Sequence, residues 1–465
     1  MSKLIVQNTF TEVEGKESQV EHLLRFRPAG YTFSPKYKSG HWDGWISFVK
    51  HSKNKLYIPT GLIQYVQDNI DGFSIEDMRK MPPKLVGYMS PTQAVALDNH
   101  QLDAVQHAQI LRRGLIQYPT GTGKARIIGE TIRRLNVSTL VLCDKRDLLH
   151  QLHREITNAI GNDQVGIIGD GHDTRFDVTI ATYQGIMVRL NDPDKAKGML
   201  ANLAEFGCVI VDETHHATAS GLREILGKMP NAYYRFGFSA TAFKGYKGKT
   251  ADLGTFLGVQ AYLGPPISTM TISEGVETGR IVPANIFMVH GCEWEGKALN
   301  YSEEYSLGII NNSARNTVII RLAMRLRNLG PTIVLVSREE HGNNIVFSDV
   351  PYIYGKTPSK LRNKYYDEFR NGERNCLIIG KLGDEALDLP NIRYLILAGG
   401  GNSPHVQIQR IGRGMRAVEG KDKVDVFDFA DTGHYISAHY RRRRRAYEQE
   451  PAYTVIDLTK EELLP

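Results

Sequence analysis

Long apolar stretches are missing from this chain of 465 residues. No run of about 18 consecutive apolar side chains exists to cross a bilayer, which argues against a membrane helix. Paired cysteine spacing is missing as well. Cys143, Cys208, Cys292 and Cys376 contain no CxxC pair, and three of the four lie in or beside apolar runs. Buried free thiols in a reducing compartment are therefore expected, rather than disulfides or zinc. The N-terminus MSKLIVQNTF lacks the basic-then-apolar order of a secretory leader, so the expected location is cytoplasmic. Internal repeats are absent, and the one biased segment is an arginine run near the C-terminus. An excess of one charge sign is almost absent too. Lys and Arg number 57 against 51 Asp and Glu, and the net +6 permits a polyanion partner without requiring one.

What is present divides by texture. A chain this long exceeds one hydrophobic core, so two or three domains are expected. Residues 1–85 are rich in aromatics and end at a proline-containing connector, MPPKLVGYMSPT (81–92). From about residue 93, apolar strands alternate with helical stretches: STLVLCD (138–144), DVTIATY (177–183), CVIVDE (208–213) and RFGFSAT (235–241). A second series follows: PTIVLVS (331–337), NCLIIGK (375–381), RYLILAG (393–399) and VDVFDFA (424–430). Continuous Val/Ile/Leu runs bounded by Gly or Asp predict parallel strands buried on both faces. The expected fold class is α/β, with parallel-sheet domains at 93–280 and 281–465 behind a small α+β domain at 1–85. SEGVETGRIVP (273–283) lies near their junction.

YPTGTGKARI (118–127) reads as a phosphate-binding loop. Gly121 and Gly123 let successive N–H groups face a phosphate, and Lys124 offers a charge to the β/γ-phosphates. KARIIGETIRRL then continues as a helix whose N-terminus favours anions. A plain Gly-rich turn before a helix is the bland alternative. Two positions depart from the usual loop: Tyr118 stands at the first Gly, and Ala125 replaces the hydroxyl that normally ligates Mg²⁺. VIVDETHHA (209–217) weights the choice towards nucleotide chemistry. Adjacent acids ending an apolar strand cost several kcal/mol if buried unpaired, and a metal ion with a water to activate gives both a purpose. Asp212 suits Mg²⁺ through its water shell, and Glu213 suits the attacking water. His215 is placed to couple the site to the second domain. In QIQRIGRGMR (407–416), helical spacing predicts Arg410, Arg413 and Arg416 on one face. A solvated basic face is the usual meaning of such spacing. Phosphoryl transfer needs cations, however, and Arg413 and Arg416 are the candidates to reach the γ-phosphate.

Taken in order, these stretches resemble the superfamily 2 helicases, over roughly residues 95–435. TGTGK (Thr120, Gly121, Thr122, Gly123, Lys124) with Ala125 resembles motif I, and TLVLCDKRDLLHQ (139–151) motif Ia. IATYQ (180–184) is similar to motif Ic, DETH (212–215) to motif II and SAT (239–241) to motif III. GDEALDLP (383–390) resembles motif V and QRIGRGMR (409–416) motif VI. The resemblance implies two RecA-like domains, with ATP and Mg²⁺ as cofactors. It implies that Gln101 reads adenine, that Asp388 contacts ribose and that Gln409 sits near the γ-phosphate. Ser239 and Thr241 would link nucleotide state to DNA grip. Arg146, Thr182, Tyr183, Arg338 and Lys381 would touch the nucleic-acid backbone, although each could also be an ordinary polar strand-end residue. His100 stands where an aromatic is commoner, and Gly380 where many relatives have Thr. RNTVIIRLAMRL after NYSEEYS (300–306), together with KLGDEALDLP, narrows the likeness to the branch that includes XPB and the phage helicase UvsW. Residues 24–63 resemble the small N-terminal domain of that phage helicase, which implies a phage-encoded chain in the host cytoplasm.

The N-terminal region also speaks by itself. Between Arg25 and Lys55 stand seven Lys or Arg, one carboxylate and seven aromatic rings, a composition suited to phosphates and exposed bases. Alternation in WISFVK predicts a strand, so about half of the rings belong to the small core. Lys36, Lys38, Lys53 and Lys55 are the better contact candidates, and Trp42-Asp43-Gly44 reads as a structural turn. The five arginines 441–445 would spread around a helix, as a solvated tail, an import signal or a DNA-backbone contact.

The leading expectation is a monomeric, ATP-dependent translocase on forked or branched DNA, with no membrane partner. Its rivals are an RNA helicase of the same fold, a restriction-system motor subunit and a non-catalytic DNA clamp. FKGYKGKT (243–250) is a candidate strand-separating element.

Overall fold

The computed structural model describes residues 2–28, 30–87, 97–161, 163–214, 220–240, 250–380, 389–401 and 403–463. His215, Thr241, Lys381 and Asp388 lie outside the described residues, as do most of the motif V segment and nearly all of FKGYKGKT. The chain forms two compact units. The first comprises Met1–Tyr118 and Gly123–Thr269, and the second Pro119–Thr122 and Met270–Pro465.

All eight strands expected from apolar runs are present, with ends that differ from the expected ones by at most two residues. In the first unit the central sheet runs, from edge to edge, His172–Thr174, Val165–Gly169, Val178–Thr182, Thr139–Cys143, Cys208–Val211, Tyr234–Ser239, Arg113–Gln117 and Pro266–Thr269. Every neighbouring pair is parallel except the edge hairpin between Val165–Gly169 and His172–Thr174. Thr139–Cys143 and Val178–Thr182 are buried at every residue, which is why their sequences show no alternation. The second unit holds a fully parallel sheet in the order Tyr352–Ile353, Cys376–Ile379, Thr332–Leu335, Tyr394–Leu397, Val424–Phe429, Ala284–His290 and Tyr453–Thr459. Both are RecA-like α/β sheets, so the fold class is the expected one.

The N-terminal α+β module is built on a five-stranded sheet of Lys50–Ser52, Lys55–Pro59, Phe10–Glu14, Ser2–Val6 and Phe73–Asp77. Its core of Leu4, Val13, Leu56 and Ile58 is closed by Leu257 and Ala261 from helix Thr250–Leu263. Arg235 ties this module to the first parallel sheet. Its fully buried guanidinium donates to the carbonyls of Ala232, Leu226 and Met229 and to the Thr9 hydroxyl. The strand expected in WISFVK is broken into Ile46–Ser47 and Lys50–Ser52. The Ser47 hydroxyl takes the Val49 N–H at 3.3 Å, while Phe48 turns into the core.

Candidate nucleotide and nucleic-acid sites

Parallel strands place all their carboxyl ends on one edge, where open α/β sheets bind ligands. In the first unit the register pairs Gln117 with Ser239, Gly237 with Val211, and Cys143 with Thr182. The phosphate loop, Asp212-Glu213, Ser239, Arg146, Thr182 and Tyr183 all follow or end these strands. The structure therefore gathers on one edge what the sequence spreads over more than a hundred residues.

The phosphate loop has the backbone its glycines require. Gly121 and Gly123 have φ values of +92° and +80°, and a Cβ on Gly123 would overlap the carboxamide nitrogen of Gln101. Gly123 caps helix Lys124–Leu135. Gln101 is buried within a capping box: its N–H donates to Asp98 Oδ1 at 2.8 Å, and its Oε1 accepts from Asp98 N–H at 3.3 Å. The D-x-x-Q spacing of residues 98–101 was the sequence signal for that box. Lys124 Nζ donates to Tyr118 O at 3.1 Å. Tyr118, at the position where Gly is usual, is buried, and its hydroxyl donates to His100 O at 2.8 Å. Thr122 is also buried, and its hydroxyl donates to Pro119 O at 2.7 Å, so its proton is already committed within the loop.

Asp212 is buried at the end of Cys208–Val211 and accepts the Glu213 N–H at 3.0 Å. Burial, then the Glu213 charge, raise its carboxyl to about 7, while Lys124 and the Glu213 N–H oppose the rise. Lys124 and Asp212 thus sense one another electrostatically. Glu213 holds a φ of +52°, a left-handed conformation that costs about 1–2 kcal/mol outside glycine. A short chain of hydrogen bonds joins these groups. The Thr214 hydroxyl donates to Phe238 O at 3.1 Å, and the Tyr118 N–H donates to Ser239 O at 3.0 Å. Tyr118 O in turn receives Lys124. Nothing in the sequence marks Thr214 for this role, because a Thr next to two acids carries no signal of the strand it will bind. The cradle at Gly123 and a lysine beside one buried carboxylate fit a triphosphate with a water-clad divalent cation.

The candidate nucleic-acid residues divide by what already holds them. Arg146 opens helix Arg146–Ile160 with an exposed side chain 3.3 Å from Asp170. The Thr182 hydroxyl caps helix Tyr183–Leu190 by accepting the Gly185 N–H at 3.1 Å, and Tyr183 packs against the core. Lys36 and Lys38 are exposed on helix Pro35–Lys38. Lys53 and Asn54, with φ values of +47° and +59°, form the tip of a hairpin of the I′ kind. Beside them Lys55 is ion-paired with Glu12. Trp42-Asp43-Gly44 is a turn. Trp42 Nε1 donates to Trp45 O at 2.6 Å, Asp43 Oδ1 accepts the Trp45 N–H at 3.0 Å, and Arg25 and Arg27 stack on the Trp45 ring.

In the second unit the arginines expected on one helical face are divided between a helix and the segment after it. Helix Pro404–Gly414 carries Gln409, Arg410 and Arg413 but ends before Arg416, which forms an isolated bridge with Ile281. The three arginines therefore do not share one helical face. Arg410 is buried, 3.4 Å from both Gln407 Oε1 and Ser337 Oγ, while Gln409, Arg413 and Arg416 are half-buried. Lys421 stitches the end of this helix by donating to Gly414 O, Arg416 O and Pro390 O at 2.5, 3.1 and 3.0 Å. Burial, then Arg393 and Arg416, lower its ammonium to about 7. Arg416 thus lies by the amino ends of this unit's strands, whereas exposed Arg338 follows the carboxyl end of Thr332–Leu335.

The arginine run is not a uniform patch. Within helix Ile436–Glu448, Arg443 is buried and forks onto Asp428 at 2.8 and 3.0 Å. Arg444 bonds Asp457 and Glu448. Arg441, Arg442 and Arg445 are exposed. Among the described residues no helix is long and apolar enough to cross a membrane.

Three family models match in chain order: "DNA helicase UvsW, N-terminal" at residues 9–76, "Type III restriction enzyme, res subunit" at 88–244, and "Helicase conserved C-terminal domain" at 315–418. The chain is 24% identical to the ATP-dependent DNA helicase uvsW of Enterobacteria phage T4, over 90% of this chain and 88% of that protein. It is 26% identical to the DNA 3'-5' helicase XPB of Kineococcus radiotolerans, over 78% of this chain and 65% of that one. Among solved structures, a fragment of an HsdR subunit of a type I restriction enzyme from Vibrio vulnificus aligns with a TM-score of 0.56 at 20% identity. That alignment covers 78% of this chain and 69% of that one, a likeness of fold.

Proposed function

The chain belongs to the superfamily 2 helicases, on their XPB/UvsW-like branch, and from that premise we propose that it is an ATP-driven DNA translocase that unwinds or branch-migrates forked and four-way DNA in recombination, repair and replication. The observation that carries this reading is the gathering of the phosphate loop and the buried Asp212 at the carboxyl ends of one parallel sheet. Bound Mg²⁺-ATP supplies the free energy of phosphoryl transfer. Lys124 and the loop N–H groups would hold the phosphates, Asp212 would hold the divalent cation, and Glu213 would orient the attacking water. Gln101 reads the base and Asp388 the ribose. Gln409, Arg413 and Arg416 are the candidates that would stabilise charge developing on a transferred phosphoryl group. His215, Ser239 and Thr241 report nucleotide state, and the bonds Thr214–Phe238 and Tyr118–Ser239 give that report a physical route.

Phosphate contacts fall to Arg146, Tyr183, Arg338 and Lys381, with Lys36, Lys38 and Lys53 in the N-terminal module. Lys55 and Thr182 are poorer contacts, because Glu12 and the Gly185 N–H already engage them. The functional modules are 1–85, 93–280 and 281–465, working as a monomer in the host cytoplasm. A restriction-motor reading draws on the match at 88–244, but the match at 9–76 favours the helicase. The test is ATP turnover and strand separation by the isolated chain on single strands, duplex, fork, four-way junction and RNA. Turnover stimulated most by branched DNA, and lost in Lys124→Ala with DNA binding retained, is expected. No turnover with any polynucleotide would overturn the reading.

A further inference from the structure

The second unit carries an aromatic cluster that lies outside the nucleotide motifs and has been given no role above. Tyr301 and Tyr435 remain 38% and 37% exposed, although large rings usually seek burial. Their ring centroids lie 6.4 Å apart, Tyr301 is 5.0 Å from His439, and Tyr435 is 4.7 Å from His434. Beneath them Tyr305 is buried with Ile309, Ile310 and Ile436 in a small core of its own. Tyr305 serves packing; Tyr301 and Tyr435 look outward.

This surface is built rigidly. Glu304, almost fully buried, accepts the N–H groups of both Tyr435 and Ile436 at 2.8 and 2.9 Å. One carboxylate thereby joins helix Tyr301–Tyr305 to the start of Ile436–Glu448. The Tyr305 hydroxyl donates to Gly399 O at 2.5 Å. The segment that follows bonds to the helix opened by Arg338: Asn311 Nδ2 reaches Glu340 at 3.2 Å, and Asn344 Nδ2 reaches Ile310 O at 3.1 Å. Tyr435 follows the strand Val424–Phe429 and Arg338 follows Thr332–Leu335, so both stand on the carboxyl edge of the same parallel sheet. Burial raises the Tyr301 phenol, and the charges of Arg338 and Arg443 oppose that rise. The acids nearby are occupied. Glu303 accepts the Leu299 N–H, Glu340 holds Asn311 and Glu339 holds Lys356.

Fixed, exposed aromatic rings on the same sheet edge as an exposed arginine match the needs of an unpaired base on a phosphate backbone. We propose that Tyr301 and Tyr435, held edge to face at an interplanar angle of 79°, form a corner in which an unpaired base of single-stranded DNA stacks on one ring and abuts the edge of the other, with Arg338 neutralising the adjoining phosphate. The inference rests on the reading of the chain as a DNA translocase. It adds a base contact on the second unit to the backbone contacts already assigned there.

The test uses the full chain with a single-stranded oligodeoxynucleotide carrying 2-aminopurine, and a blunt duplex as control. The parent should quench the probe on binding. Tyr301→Ala and Tyr435→Ala should lose the quench and bind the single strand roughly 5- to 150-fold more weakly, the effect of one lost base–aromatic stack. Duplex affinity and duplex-stimulated ATP turnover should stay as in the parent. Tyr301→Phe and Tyr435→Phe keep the ring and should behave like the parent. Alanine variants that bind the single strand normally, or that lose duplex and single strand alike, would overturn the proposal. A parent that binds no DNA would instead remove the translocase reading on which it stands.

Discussion

Gln101 faces Gly123 so closely that no side chain fits between them. A Cβ on Gly123 would overlap the Gln101 carboxamide, and the Gly123 φ of +80° is itself left-handed. Gly123→Ala should therefore displace the loop or the glutamine while leaving the strands beneath intact. ATP turnover should fall by roughly two orders of magnitude, as expected for a small misplacement of a positioning group. Thermal melting should move little, because the strain of about 1–2 kcal/mol is local. Near-parental turnover would show that the cradle is not where phosphate binds.

Ala125 removes one possible Mg²⁺ ligand, and Thr122 spends its proton on Pro119 O. Mg²⁺ readily keeps several waters, so Asp212 and the phosphates would suffice to hold it in the proposed mechanism. Ala125→Thr should leave turnover at saturating Mg²⁺ similar and raise it when Mg²⁺ is scarce. Turnover titrated against Mg²⁺ in both proteins decides the matter. A parent that is inactive and rescued only by Thr would mean that the hydroxyl is indispensable.

These two positions were legible in the sequence because backbone-dictated glycines and strand-terminal acids are local signals. So were eight buried strands, whose Val/Ile/Leu runs need no partner to be recognised. Tyr453–Thr459 was not, since an edge strand that is half-exposed carries Asp457 and two threonines and loses the apolar signature. The grouping of Arg416 with Arg410 failed for another reason: the helix stops at Gly414, where Lys421 collects the carbonyls. Nothing local announces Arg235 as the anchor of the N-terminal module. Its partner Thr9 lies 226 positions away.

His341 gives the second unit a pH dependence of its own. It is buried, 3.0 Å from Asn316 Oδ1, and burial, then Arg315, lower its imidazole to about 3. The unfolded chain protonates this residue near 6.5, so between about 6.5 and 3 it binds the extra proton and the folded chain does not. Stability contributed by neutral His341 is thus present above that window and lost as pH falls through it. His341→Gln keeps a polar partner for Asn316 without titrating. Melting temperatures across the acid range should fall less steeply in the variant, with the two proteins converging at mildly alkaline pH. Parallel curves would exclude His341 as a source of the acid limb.

Within Arg441–Arg445, one side chain should dominate stability. Arg443 forks onto Asp428, which also accepts from the Tyr447 hydroxyl at 2.9 Å, while Asp431 takes Arg315 at 2.8 Å. Arg443 Nη1 further donates to Gly401 O at 3.0 Å, in the loop that leads into the helix of Gln409 and Arg413. Removing one partner of a buried ion pair strands the other, at a cost of roughly 3–5 kcal/mol. Arg443→Met should therefore lower the urea midpoint strongly. Arg441→Ala and Arg445→Ala, at exposed positions, should stay within about 0.5 kcal/mol of the parent. They should instead weaken DNA binding at low salt if that face meets phosphate, an effect that salt would erase. Equal destabilisation by all three substitutions would contradict the division of the run into one core residue and a solvated face.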